Sequence, residues 1–165
     1  MLYLALTKMI SENLLQKLEE EGKLKRQKVG TRYLNATLRS AYKNFKVASE
    51  GLLIKDFEEA AFKEAYDGIL QVSRVVIALQ GYKPSGLEQH KTTFVAATHL
   101  LGEDFSGLVK RINNYRIKRN NCVYDPINPI SKTEARNILK TAKEYWAKVR
   151  KYLDSQNTQL ELFDF

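Results

Sequence analysis

Apolar residues recur at spacings of three and four along most of the chain, as expected for helices that bury one face. This pattern predicts helices over residues 11–20, 32–52, 57–80, 87–101, 105–121 and 131–153. The segment 57–80 is apolar on nearly every side, so we expect it to be the central helix, covered by its neighbours. No strand is predicted. The expected fold is all-α, an antiparallel up-and-down bundle of four to six helices.

Glycine and capping residues indicate where several helices begin and end. Ser11 is a candidate N-cap and Gly22 a stop for the first helix, and Gly102 follows the fourth. Ser131 and Glu134 have the spacing of a capping box. We expect three parts: an N-terminal helix and basic linker over 1–30, the bundle over 31–153, and a flexible C-terminal tail over 154–165.

Positive charge is concentrated in two stretches of the chain. Lys and Arg number 27 against 19 Asp and Glu, for a formal charge of +8. Residues 23–49 and 110–121 contain basic residues and no acid. Such runs attract polyanions such as RNA or nucleotides. The alternative is an ordinary solvated basic surface.

Several functional classes find no support in the residues. A lone Cys122 excludes an internal disulfide and a multi-thiolate metal site, and it fits a reducing cytoplasm. The apolar start is interrupted at Lys8, so we expect neither an export signal nor a membrane anchor. The chain shows no glycine-rich phosphate loop, metal-binding acid cluster or nucleophile elbow. We therefore expect no cofactor and no metal.

A basic residue interrupts the apolar stripe of the fifth helix. The stripe consists of Leu108, Ile112, Tyr115, Arg119 and Cys122. A guanidinium at such a position needs an ion pair or a wet groove. Arg119 is therefore either paired with an inward acid such as Asp67 or part of a site. Cys122 is interpreted as a small buried hydrophobe rather than an activated thiol.

Five runs, taken in order, suggest a family. They are Asp56-Phe-Glu-Glu-Ala-Ala61, Gly81-Tyr-Lys-Pro84, His90-Lys-Thr-Thr93, Lys118-Arg-Asn-Asn-Cys-Val-Tyr-Asp125 and Ser131-Lys-Thr-Glu-Ala135. Together they resemble the HEPN domain over residues 32–153. The resemblance implies a small helical homodimer, often encoded beside a minimal nucleotidyltransferase partner. Many HEPN domains are metal-independent ribonucleases, including toxins of toxin–antitoxin pairs.

Catalytic HEPN members carry an arginine and a polar residue, followed by a histidine four to six residues after the arginine. Arg119 and Asn120 match the first half, but Tyr124 stands where the histidine is expected. Because a free tyrosine has a pKa of about 10, it is a poor base at pH 7. The resemblance implies that Arg119 holds a phosphate and Asn120 orients it. A structural Arg119, a site that binds without cutting, and weak tyrosine-assisted cleavage all stay open.

Other basic residues are candidates for nucleic-acid contacts. Arg116, Lys118 and Arg111 lie in the second basic run, where surface solvation is the alternative. His90, at the start of a helix, either lines the cleft or simply packs there. His90 and His99 face opposite sides of one helix and form no metal pair.

The C-terminal residues provide a second resemblance. Gln159, Leu160, Leu162 and Phe163 belong to a Gln-Leu-Glu-Leu-Phe run, which is similar to peptides that dock on the bacterial sliding clamp. The alternative is that these apolar side chains fold back on the bundle or on a dimer partner.

Taken together, the resemblance and the basic runs predict a HEPN-like protein that binds RNA or a nucleotide between subunits. A non-enzymatic interaction module, recruited through its basic face and tail, is the alternative.

Overall fold

The computed structural model describes residues 14–124, 127–156 and 159–165, except the side chains of Glu103, Val123 and Tyr124. Its helices are α1 (described over 14–20), α2 (Thr31–Gly51), α3 (Glu58–Leu79), α4 (Gln89–Leu101), α5 (Ser106–Tyr124) and α6 (Lys132–Ser155). A 3-10 turn, Glu103–Phe105, joins α4 to α5. The predicted all-α helical bundle is confirmed. None of the helices in the described ranges is long and apolar enough to span a membrane.

Helix α3 is the centre of the bundle, as its apolar sequence predicts. It contacts α2, α4, α5 and α6, and twelve of its residues are buried. Gly68 permits the close approach of α2, because a Cβ atom there would lie 2.5 Å from Cε1 of the buried Phe45 ring. The apolar α3 thus supports all of its neighbours.

The predicted helix ends agree with the structure in most places. Gly22 and Gly102 both follow helices and have positive φ angles of 70° and 97°. The Ser131 hydroxyl accepts from the Glu134 amide at 3.2 Å, and the Glu134 carboxylate accepts from the Ser131 amide at 2.9 Å, which completes the capping box. The start of α1, including Ser11, lies outside the described residues. Helix α5 ends at 124, three residues later than predicted, since neither glycine nor proline occurs between Gly107 and Pro126 to stop it earlier.

The expectation of no strand is wrong. β1 (Leu24–Arg26) pairs antiparallel with β2 (Tyr82–Pro84), with Leu24 opposite Pro84. The Leu24 side chain is buried, and the Arg26 guanidinium lies 4.2 Å from the centre of the Tyr82 ring. Together with the buried Leu15 and Leu18 of α1, these contacts join the N-terminal segment to the core of the bundle.

The C-terminal segment packs on α2 and α6 instead of projecting as a flexible tail. The Phe163 ring stacks on Trp146 at 4.0 Å, and the Trp146 indole N–H donates to the Phe163 carbonyl at 3.0 Å. Phe165 stacks on Phe45, and the Glu161 amide donates to Asn35. This arrangement corresponds to the alternative in which Leu160, Leu162 and Phe163 fold back on the bundle. Gln159, also part of the predicted docking motif, is exposed, and its carbonyl lies 3.5 Å from the Asn35 amide nitrogen.

Candidate functional site

An open pocket of about 530 Å³ lies between the start of α4 and the second half of α5. Its lining residues are Leu87, Glu88, Gln89, His90, Lys91, Arg116 and Asn120. Three of the predicted site residues therefore meet here: His90 from α4, and Arg116 and Asn120 from α5. Their meeting depends on the packing of α4 against α5, because 26 positions separate His90 from Arg116 in the sequence.

Arg116 and Asn120 lie one turn apart on α5 and face the same pocket. The Arg116 Nε–H donates to the Asn113 side-chain carbonyl at 3.0 Å, which orients the guanidinium. Asn120 is exposed. The only acid among the described residues of the lining is Glu88, whose carboxylate lies 3.3 Å from the Lys91 ammonium. The pocket consequently presents excess positive charge to solvent.

Arg119 lies next to the pocket but is not among its lining residues. A terminal nitrogen of its guanidinium lies 3.5 Å from the Asp67 carboxylate, and the guanidinium carbon lies 5.3 Å from the centre of the Tyr66 ring. Asp67 also accepts from Lys63 at 3.1 Å. The ion pair expected between Arg119 and Asp67 is therefore present. Nevertheless, the buried Arg119 Nε has no hydrogen-bond partner among the described residues.

His90 is linked to this arginine through Tyr66. The Tyr66 hydroxyl and His90 Nδ1 lie 3.0 Å apart and share a hydrogen bond. Burial lowers the pKa of His90 from its usual value, and the nearby Arg119 and Arg74 guanidiniums lower it further. Burial also raises the pKa of Tyr66. At pH 7 the pair is therefore a neutral imidazole and a neutral phenol beside fixed positive charge.

Two of the predicted nucleic-acid-binding residues pair with acids of α6 instead. The Lys118 ammonium lies 3.1 Å from the Glu134 carboxylate, and Arg111 donates to Glu144 at 2.8 Å. Both pairs tie α5 to α6, and neither cation lines the pocket. Cys122 is half-buried beside the core, and its thiol donates weakly to the Asn128 carbonyl at 3.7 Å. The side chain of Tyr124 lies outside the described part of the chain.

Sequence reasoning missed Tyr66 and Arg74. Tyr66 lies within the apolar helix α3, where its hydroxyl gives no local sign of its partner. Arg74 carries a clearer signal, since it is the only charged residue between Asp67 and Gln80, in the most apolar stretch of the chain. The Arg74 Nε is buried and has no hydrogen-bond partner among the described residues. A charge inside an apolar helix, like the charge inside the α5 stripe, indicates either an ion pair or a site.

No protein-family model, curated protein or solved structure matches this chain. The resemblance to HEPN domains therefore stays a prediction based on the five sequence runs.

Proposed function

We propose that this chain is a HEPN-like module that binds RNA in the pocket between α4 and α5. Arg116 contacts a phosphate, Asn120 orients it, and Arg119 shapes the wall behind them through Asp67 and Tyr66. The observation that carries the proposal is the convergence of His90, Arg116 and Asn120 on one open, positively charged pocket. A guanidinium suits this role because its planar donors match two phosphate oxygens at once.

The start of α4 adds to the attraction for anions. Its first residues, Gln89, His90 and Lys91, line the pocket, and Glu88 at the N-cap provides no side-chain capping bond among the described residues. Amides in the first turn of a helix lack intrahelical acceptors and carry partial positive charge. A phosphate in this pocket therefore meets amides from α4 and a guanidinium from α5.

We further propose that the working unit is a homodimer whose partner subunit covers this pocket. Two large apolar side chains lie exposed beside it: Leu87, fully exposed on the pocket wall, and Ile117, next to Arg116. Burying such groups favours association. Light scattering should give a dimer mass at micromolar concentration, and Leu87→Asp should give a monomer. A monomer mass for the native protein would remove the composite site.

His90 is the residue best suited to move a proton in this site. Its lowered pKa keeps the imidazole neutral at pH 7, so it can accept a proton from a ribose 2′-hydroxyl. Tyr124, which stands at the position of the family's histidine, has no such capacity at this pH unless its pKa is lowered. Any cleavage by this chain is therefore assigned to His90 rather than to Tyr124. A nucleotidyltransferase partner, as in other HEPN systems, belongs to the same proposal.

The test combines binding and cleavage of labelled cellular RNA by the purified protein in EDTA. Arg116→Ala and His90→Ala are compared with Arg136→Ala, an exposed arginine of α6 that lines none of the pockets described here. We expect native protein and Arg136→Ala to bind RNA equally, and Arg116→Ala to bind about tenfold more weakly.

The cleavage results distinguish a ribonuclease from a module that binds RNA without cutting it. Cleavage that is lost in His90→Ala identifies a ribonuclease. RNA that is bound but intact identifies a module that does not cut. Absence of both binding and cleavage in the native protein would overturn the proposal and favour a protein partner.

A further inference from the structure

Arg74 is a half-buried cation that has no counter-ion among the residues that the structure describes. It lies on the central helix α3, and it forms no ion pair or hydrogen bond with the residues that the structure describes. Arg119 has a similar location but is paired with Asp67. Removing a guanidinium from water without a partner is costly, and a bound anion would offset that cost.

Arg74 lines a second pocket, of about 260 Å³, between α2, α3, β2 and the start of α4. Its lining residues are Gln27, Tyr33, Thr37, Arg74, Val75, Ala78, Tyr82, Lys83, Pro84 and Gln89. No acid occurs among these described residues, whereas Lys83 adds a second positive charge. Tyr33 is 52% exposed and offers an aromatic surface beside the two cations. The pocket thus combines phosphate donors with a platform on which a base can stack.

The two pockets are neighbours, because Gln89 lines both. The positive charges of Arg119 and Arg74 both lower the pKa of His90, the next residue, so both guanidiniums lie near it. A chain of positive groups therefore runs from Arg116 on α5, past the start of α4, to Arg74 on α3. Nucleic-acid strands carry a phosphate on every residue and follow such charged grooves.

We propose that the Arg74 pocket is a second subsite for the same single-stranded RNA, with Arg74 and Lys83 on a phosphate and Tyr33 stacked on a base. This inference rests on the proposed function, since the strand reaches the Arg74 pocket from the pocket of Arg116. It identifies the ligand as an RNA strand longer than the first pocket can hold, rather than a free nucleotide.

The test compares two labelled probes, a dinucleotide and a single-stranded RNA of about ten residues, which falls within the usual site size of strand-binding proteins. Native protein, Arg74→Met, Arg116→Met and the exposed control Arg136→Met are titrated with each probe. Methionine keeps the apolar stem of arginine and removes the charge. We expect the longer RNA to bind native protein at least about tenfold more tightly than the dinucleotide, and Arg74→Met to lose this gain.

Failure of the inference can be told apart from failure of the proposed function. If Arg116→Met weakens both probes while Arg74→Met binds both like native protein, only the second subsite is overturned. If native protein binds neither probe, both proposals are overturned. Equal weakening of both probes by Arg74→Met would also overturn the subsite, because it would show a general effect on the fold.

Thermal unfolding distinguishes a binding role of Arg74 from a structural one, because the two roles predict opposite shifts in the Tm of Arg74→Met. Removing an uncompensated half-buried charge should raise the Tm of Arg74→Met, by about 2–4 °C for a chain of this size. Arg136→Met should leave the Tm within about 1 °C, as for most surface substitutions. A Tm below that of native protein would show that Arg74 supports the fold and would overturn the subsite.

Discussion

The two sides of helix α3 are held by different kinds of interaction. Toward α2 and α6, the core consists of aromatic and aliphatic side chains, among them Phe45 and Trp146, and the C-terminal segment covers it further. Toward α4 and α5, the same helix presents Tyr66 and Asp67, which meet His90 and Arg119 beside an open pocket. Arg74, further along α3, lines the second pocket, between α2, β2 and the start of α4.

The two kinds of interaction contribute differently to stability and to binding. Apolar packing stabilises the fold without requiring specific hydrogen-bond partners, whereas half-buried charges that lack partners destabilise it. Arg74 Nε and Arg119 Nε are the two buried side-chain polar atoms without a hydrogen bond in the described part of the chain. Arg119 belongs to the α4–α5 side, and Arg74 lines the pocket between α2, β2 and the start of α4. We therefore assign stability mainly to the apolar contacts of α3 with α2 and α6, and ligand binding to the two pockets beside the start of α4.

The largest expected effect comes from the apolar side. Trp146 is 2% exposed and stacks on Phe163, so Trp146→Ala should lower the free energy of unfolding by about 3–5 kcal/mol. Urea denaturation followed by circular dichroism measures this change. RNA affinity, measured under conditions where the variant is folded, should stay within about twofold of native protein. A large loss of affinity in the folded variant would contradict the division between the two sides.

Adding a methyl group to the tightly packed contact between α2 and α3 should destabilise the protein less than Trp146→Ala does. Gly68→Ala places a methyl group against the Phe45 ring and should lower the free energy of unfolding by about 1–3 kcal/mol. Gly107→Ala on α5 is the matched control, since nothing lies within 4 Å of its added Cβ. It should raise stability by up to about 1 kcal/mol through helix propensity. Equal effects at the two glycines would show that α2 and α3 are less tightly packed than described.

On the α4–α5 side, Arg119 and Arg116 should differ in their effects on stability and on RNA binding. Arg119→Met removes the ion pair with Asp67 and the contact with Tyr66, and it should lower the free energy of unfolding by about 1 kcal/mol. Arg116→Met should change stability by less than about 0.5 kcal/mol but weaken RNA binding. Urea denaturation and RNA titration of both variants check this split. Loss of stability in Arg116→Met alone would invert the assigned roles.

The smallest expected effect is a dependence on pH. Because the pKa of His90 is lowered in the fold, the unfolded chain binds more protons between that value and about 6.5. Stability should therefore fall as the pH is lowered through about 6.5 toward the folded pKa. In His90→Gln this contribution should disappear, so the difference in unfolding free energy between native protein and variant should change with pH in this window. A constant difference from pH 7.5 to 5 would show that His90 has its ordinary pKa in the fold.

The sequence predicts the helices better than the contacts between them. Ser131 and Glu134 act within one turn, and Gly102 acts on its own backbone, so local reasoning finds them. The pairing of Leu24 with Pro84 spans 60 positions, and strands of three residues leave no alternating pattern. Short strands of this kind form through tertiary contacts that no window of sequence contains.

In the candidate site, too, the sequence predicts local features better than contacts between helices. The Arg119 stripe indicates an inward acid, and Asp67 is found there. Lys118 and Arg111 have the same local signal as Arg116, yet they pair with acids of α6 because that helix happens to lie beside them. Charge runs identify candidates for binding, whereas only the packing of neighbouring helices shows which cations face open space.

The most direct test of the binding side is the salt dependence of RNA affinity. Native protein, Arg116→Ala and the exposed control Arg136→Ala are titrated with one RNA at several salt concentrations. The account predicts that affinity falls steeply with salt, and that Arg116→Ala both weakens binding and reduces the slope of log K against log salt by about one. Arg136→Ala should match native protein. Equal affinity and slope in all three proteins would contradict a phosphate site between α4 and α5.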